Sequence, residues 1–362
     1  MHGKNQIQPG GASSGAGAFV KSRPAAFAGL VAVVVFGFVG VSYTAVNNRG
    51  RSGFPQETWS PGTSEAAIHQ FWAIYHGNDY DAIPQVQNQL EGAIQLDPDN
   101  PTLYALLGAT HFWHIGEFAR DRNRREDQDI LSQDMPTAAS LFEKAFHLDY
   151  YSPHLTGYIN DDHLPGYWGI TTVHTGQQDQ NPDVIAKGDS ILDFAAYQFP
   201  EFNNFNRWAA HNTDPKDSDS YKKALDSLWQ TIDACIGTQI DRANPDMKPY
   251  LQLVTSVGRK KACWWEGDIA PYGFEGLTLN LGNGLVKAGR VDAAKVMYAN
   301  ARYAGNYSTW PYRGVLEAVA ASDLNARAAL YADDDPGNDP TLSVPNRSCV
   351  YCHATVPESG SH

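Results

Sequence analysis

Cysteine is scarce in this 362-residue chain: Cys235, Cys263, Cys349 and Cys352 are all there are, too few for a disulfide-dense scaffold. Methionine is equally scarce, and Met135, Met247 and Met297 are the only thioethers beyond the first residue. No acidic residue occurs in the first 46 positions; all 40 follow. The whole chain has a formal net charge of −13, and the part after those positions is strongly acidic. That balance argues against nucleic acid and anionic lipid surfaces as partners and favours a basic one, such as a cationic soluble electron carrier. Also missing are Gly-x-Ser-x-Gly, His-Glu-x-x-His and Gly-x-x-x-x-Gly-Lys-Ser/Thr, the signatures of common hydrolases and nucleotide sites. Asp161-Asp162-His163 is a short carboxylate–His run of a kind common in loops.

One long hydrophobic run is present. Residues 24–46 are 23 consecutive, mostly apolar positions, enough to cross roughly 30 Å of hydrocarbon as a helix. Pro24 suits its first turn and Tyr43 its far interface. A cleaved signal peptide would have a shorter apolar core and a small-x-small site, which Tyr43 and Thr44 before Ala45 do not supply. The expected layout is a disordered cytoplasmic tail over 1–22, a single transmembrane anchor over 23–46 and a linker over 47–64. Lys4, Lys21 and Arg23 precede the span and Arg49 and Arg51 follow it, a slight charge bias.

Near the other end stands Cys349-Val350-Tyr351-Cys352-His353. Cys-x-x-Cys-His places two thiols to form thioethers with the vinyl groups of one haem, and the next residue, His353, to ligate the iron on its proximal side. The motif therefore predicts one covalent haem c. A zinc site using the same three residues would need a fourth ligand, and no second Cys-x-x-Cys or His-x-x-x-His pair is in view. Reactive thiols are the other alternative, without the βαβ setting in which a redox Cys-x-x-Cys usually opens a helix. Thioether attachment takes place outside the cytoplasm, so the expected orientation is N-terminus in, main domain periplasmic, in the inner (cytoplasmic) membrane. Cys235 and Cys263 are candidates for a disulfide there. For the sixth iron position the candidates are His163 and His174, placed in a stretch read as a loop; His154 shares that stretch, and His111 and His114 share one helix.

Helical periodicity dominates the middle of the chain. Leu281, Gly282, Leu285, Gly289, Ala294, Tyr298 and Ala301 fall at the intervals of a tetratricopeptide (TPR) repeat, which residues 281–307 resemble; Asn306 stands where that family prefers Pro. Tyr104, Leu107, Gly108 and His111, then Ala138, Phe142 and Ala145, resemble a split second unit. Val86, Leu90, Ala93 and Pro98 match a further second helix, with 65–76 as its first. The resemblance to TPR proteins covers about 65–150 and 275–310. It implies an all-α domain over 65–325, built of antiparallel helical hairpins in which small residues let two helices approach closely. Helices are also expected over 190–199 and 221–235. Three stretches read as irregular inserts: the charged 120–135, and the aromatic, Gly- and Pro-rich 149–181 and 261–276. Residues 326–362 are expected to form an acidic linker and a haem-binding tail. Only nine residues follow His353, so a separate cytochrome domain has no room, and the repeat domain or another subunit must cover the haem.

Three functions are compatible with these features. The preferred one is a membrane-anchored, exported monohaem c-type cytochrome on a TPR-like scaffold, an electron-transfer subunit of a respiratory or photosynthetic membrane complex. The second is a TPR-like assembly subunit without haem, and the third a haem enzyme such as a peroxidase with an open sixth position. The first two share an expectation of protein partners, namely other subunits of a membrane complex.

Overall fold

Apolar residues recurring every three or four positions build helices throughout the described part of the chain, residues 60, 62–77, 79–120, 128–151, 163–253, 270–332 and 350–353 of a computed structural model. Every α or 3₁₀ element among them is helical, in keeping with an all-α chain. The α-helices are α1 (Ser64–Gly77), α2 (Ile83–Leu96), α3 (Pro101–Arg120), α4 (Gln128–Tyr151), α5 (Leu164–Gln178), α6 (Pro182–Gln198), α7 (Pro200–His211), α8 (Asp219–Ile236), α9 (Gly273–Lys287), α10 (Val291–Asn300), α11 (Arg313–Ala321), α12 (Leu324–Leu330) and α13 (Val350–His353). The expected tail, the anchor and nearly all of the linker lie outside the described residues. Among the described residues no helix is long and apolar enough to cross a membrane.

Helix ends follow local chemistry. Proline opens α2, α5, α6 and α7 at the first or second position, where its missing N–H costs nothing and its φ is already helical. Asn181, Ser218 and Asp323 cap α6, α8 and α12 by accepting from first-turn N–H groups. Between α9 and α10, Gly289 takes φ +73°, and Arg290 N–H closes back on Leu285 O at 2.7 Å. That left-handed turn folds α10 straight back onto α9.

Each helix from α1 to α10 packs on its neighbour in sequence. The α5–α6 hairpin shows how close this packing is. Gly169 faces Leu192, Val173 faces Gly188, and Gly176 faces Ile185, so the helices run antiparallel with glycines alternating between them. A Cβ at Gly188 would stand 2.6 Å from the Val173 backbone nitrogen, and one at Gly169 2.7 Å from Leu192 Cγ. In α9–α10 the Tyr298 ring lies over Gly282, and its hydroxyl donates to Asn283 Oδ1 at 2.7 Å. Two cores result. One holds Phe71, Leu90, Leu103, Phe142 and Ile170; the other holds Trp208, Tyr221, Leu228, Leu281 and Tyr298, and includes Tyr351 of the Cys-x-x-Cys-His motif.

Some stretches read as irregular are helical. Within 149–181, α4 runs on to Tyr151 and α5 spans Leu164–Gln178. Thr171, Thr172 and Thr175 donate their hydroxyls to carbonyls one turn back, and nearly the whole circumference of α5 is buried. Glycine and threonine are weak helix formers, and a helix buried all round has no polar face to reveal its period; tertiary packing overrides both. The charged insert is shortened likewise, because α3 reaches Arg120 and α4 starts at Gln128. Helix α7 is obscured by polar residues that are nonetheless buried: Asn203 donates to Ala195 O at 2.9 Å, and Arg207 pairs with Asp193. The helical pattern also continues past residue 325, where α12 reaches Leu330.

Where α6, α7, α8 and α9 meet, His211 is buried with both ring nitrogens on carboxylates, Nε2 at 2.8 Å from Asp189 and Nδ1 at 2.8 Å from Asp214. Ser220 donates to Asp214 at 2.5 Å, and the Lys287 ammonium donates to Asn212 O at 3.0 Å. Burial opposes charge on the imidazole, but the two carboxylates outweigh it and push His211 up to about 9. A pKa raised on folding contributes stability that is complete below the unfolded value near 6.5 and lost as pH rises through about 9. Denaturation midpoints between pH 6 and 10 should therefore fall in the native protein by up to about 3 kcal/mol, and this slope should be absent in His211→Ala. Gly188→Ala should cost about 1–3 kcal/mol by overpacking, read in the same titration.

Candidate functional site

The C-terminal motif does not stand off the domain. Val350–His353 forms α13, which packs on α9. Tyr351 is the anchor: it is 6 % exposed, its ring lies 4.3 Å from that of Tyr312, and its carbonyl accepts from Trp310 Nε1–H at 2.9 Å. The next carbonyl, that of Cys352, accepts from the Tyr272 backbone N–H at 3.1 Å. Tyr272 is itself fixed by its hydroxyl, which donates to Thr309 O at 3.1 Å. These bonds tie two successive backbone groups of the motif to the start of α9 and to the turn before α11.

Gly276, in the first turn of α9, decides how near the motif can come. A Cβ there would overlap Cys352 Sγ, so the sulfur rests directly against the glycine backbone. Cys352 and His353 are partly exposed while Tyr351 between them and the interior is buried. The tyrosine thus holds the helix, while the thiol and imidazole keep partial exposure. The His353 ring meets the first described helix, 5.7 Å from the ring of Tyr75 on α1 at an angle of 59°. Cys349 lies outside the described residues. Cys235, buried in the C-terminal core, is disulfide-bonded; its partner also lies outside the described residues, which contain no other cysteine than Cys352.

No protein-family model matches the chain, and no curated protein or solved structure shows significant similarity to it. The site must therefore be read from its own residues.

The described part of the motif is compatible with thioether attachment in one respect: Cys352 and His353 keep partial exposure while Tyr351 anchors the helix, and the Cys352 sulfur rests against Gly276. The other candidates are dispersed. His163 is buried at the start of α5 against Phe199 and Phe202, at 5.0 and 4.3 Å between ring centroids. His174, buried in the same helix, has Nδ1 2.8 Å from Gln177 Oε1. His111 and His114 both turn to Asp134, at 2.7 and 2.5 Å. Met135, Met247 and Met297 are core side chains. His154 lies outside the described residues. Among the described residues no group of three or more His, Cys, Asp or Glu side chains is arranged to hold a metal ion.

Sequence reasoning did not find Tyr272, Gly276, Trp310 or Tyr75, because each acts through a partner far away in the chain. It also missed Glu275, beside Gly276. This carboxyl is 1 % exposed, neither oxygen has a hydrogen-bond partner among the described residues, and burial pushes it up to about 7. Keeping a charge-prone group there is costly: the contribution falls as pH rises from about 4.5 through about 7. Glu275→Gln should accordingly stabilise the protein above pH 7 by up to about 3 kcal/mol and leave it unchanged near pH 4, as thermal unfolding at the two pH values would show. Gly276→Ala should act in the opposite sense, losing about 1–3 kcal/mol as Cys352 is forced off α9.

Proposed function

We propose that this chain is a membrane-anchored, exported monohaem c-type cytochrome subunit, carried on a TPR-like helical scaffold within a larger membrane complex. The observation that carries the reading is the seating of Cys-x-x-Cys-His: a motif suited to haem attachment has its backbone carbonyls bonded to Trp310 and Tyr272 and its cysteine sulfur bedded on Gly276. When bound, the haem supplies a one-electron iron couple. The roles proposed for the chain are covalent attachment by Cys349 and Cys352 and proximal ligation by His353. Tyr351 anchors the motif helix, and the apolar surroundings of Tyr272, Trp310 and Tyr312 restrict water on that side.

The TPR-like part of the reading is supported by close antiparallel packing at small residues, with Gly282 under Tyr298 in α9–α10 and Gly108 against Phe142 in α3–α4. Proteins built this way present extended surfaces to partners. The acidic balance of the exported part favours a basic soluble carrier by electrostatic steering. The hydrophobic run 24–46 is the proposed anchor, and a periplasmic domain is proposed because thioether attachment takes place outside the cytoplasm.

Protein purified from its own membrane should show reduced-minus-oxidised bands and a pyridine adduct of haem c, with one haem per chain. Cys349→Ala with Cys352→Ala should lose all of it while retaining helicity by circular dichroism. The reading also requires Cys235 to be joined to Cys263. Peptide mapping of unreduced protein that finds a Cys235–Cys349 link would remove one thioether position and overturn it. A haem-free mature protein would leave the assembly-subunit alternative.

A further inference from the structure

We infer that Tyr75 is a positioning residue for His353, fixing the plane of the imidazole; this rests on reading residues 349–353 as a haem-attachment motif. Tyr75 and His353 belong to the first and last helices of the described chain, and their rings meet at 5.7 Å and 59°. Tyr75 is braced on three sides. Phe71, one turn earlier on α1, stacks on it at 5.6 Å and 11°; Trp113 of α3 meets it edge-on at 5.2 Å and 74°; Trp72 meets it at 5.9 Å and 84°. Phe71 and Trp113 are 1 % and 2 % exposed, so the brace is part of the N-terminal core.

The division of labour follows from these contacts. The backbone of the motif is held by the C-terminal core, through Trp310 and Tyr272. The His353 ring in turn meets the N-terminal core, through Tyr75. The rotation of a proximal imidazole about its bond to iron governs overlap with the metal orbitals, and outer-shell contacts that set ligand orientation tune a metal's electronics. A ring that can turn samples several ligand fields; contact with a braced aromatic narrows their range.

The test compares full-length, membrane-purified protein in three forms: native, Tyr75→Leu and Tyr75→Phe. The readouts are the electron paramagnetic resonance g-values of the ferric form and the midpoint potential. Tyr75→Leu should keep one covalent haem per chain yet show shifted or broadened g-values and a displaced midpoint, whereas Tyr75→Phe, which retains the ring, should match the native protein in both. Native g-values and midpoint in haem-loaded Tyr75→Leu would overturn the proposal. So would a Tyr75→Phe protein displaced as far as Tyr75→Leu, which would assign the effect to the hydroxyl. Should Tyr75→Leu fail to fold, Tyr75→Met fills the same space without a ring plane and carries the same two outcomes. Native protein without covalent haem is a separate result, seen in the pyridine adduct before any variant is compared; it overturns the haem reading and this proposal with it.

Discussion

Backbone-to-side-chain contact between antiparallel helices is the constraint on which the rest of this fold depends. At Gly169, Gly176, Gly188, Gly276 and Gly282 the neighbouring helix or segment comes so close that a single methyl group would collide. Such packing brings apolar surfaces together at interior density and gains dispersion contacts that a looser arrangement forfeits. It also explains why glycine, a poor helix former, is tolerated in the middle of α5, α6 and α9. The backbone entropy cost, about 1 kcal/mol per glycine, is offset by what the approach lets neighbouring side chains bury.

The same device serves the functional site. Gly276 lies in an ordinary packing helix, yet what rests on it is a cysteine of the Cys-x-x-Cys-His motif rather than a core leucine. The C-terminal segment thereby becomes part of the second hydrophobic core through Tyr351, and no separate cytochrome domain is needed to hold it. Through His353 and Tyr75 the segment also meets the first core. On the proposed reading, redox chemistry is placed where two packed units of one scaffold are both in reach, and each supplies a different restraint.

Two buried ionisable groups mark opposite uses of the interior. His211 is charged between two carboxylates and joins four helices, a satisfied network whose members support each other's ionised forms. Glu275 has no hydrogen-bonding partner among the described residues and lies in the first turn of α9, the helix against which the motif packs. One contributes to stability at neutral pH and the other subtracts from it. Proteins retain costs of the second kind chiefly near functional sites, which agrees with the location of Glu275 beside Gly276.

Much of the fold was legible in the sequence, and the reasons are local. The amphipathic spacing of Val86, Leu90 and Ala93, the prolines that open helices and the Leu-Gly and Ala-Tyr intervals of α9 and α10 are dictated by covalent geometry and short-range hydrogen bonding. The Cys-x-x-Cys-His motif is likewise a matter of adjacent residues, and the haem attachment proposed for it rests on that spacing. By contrast, α5 and α7 could not be read, since Gly, Thr and Asn disfavour helix until neighbouring helices bury them. Nor could the seat of the motif: Trp310, Tyr272, Gly276 and Tyr75 are brought to residues 351–353 by packing across the length of the chain. Spacing along the chain picked out the residues to which the proposed chemistry is assigned. Long-range burial, which depends on every helix at once, decided what holds them in place.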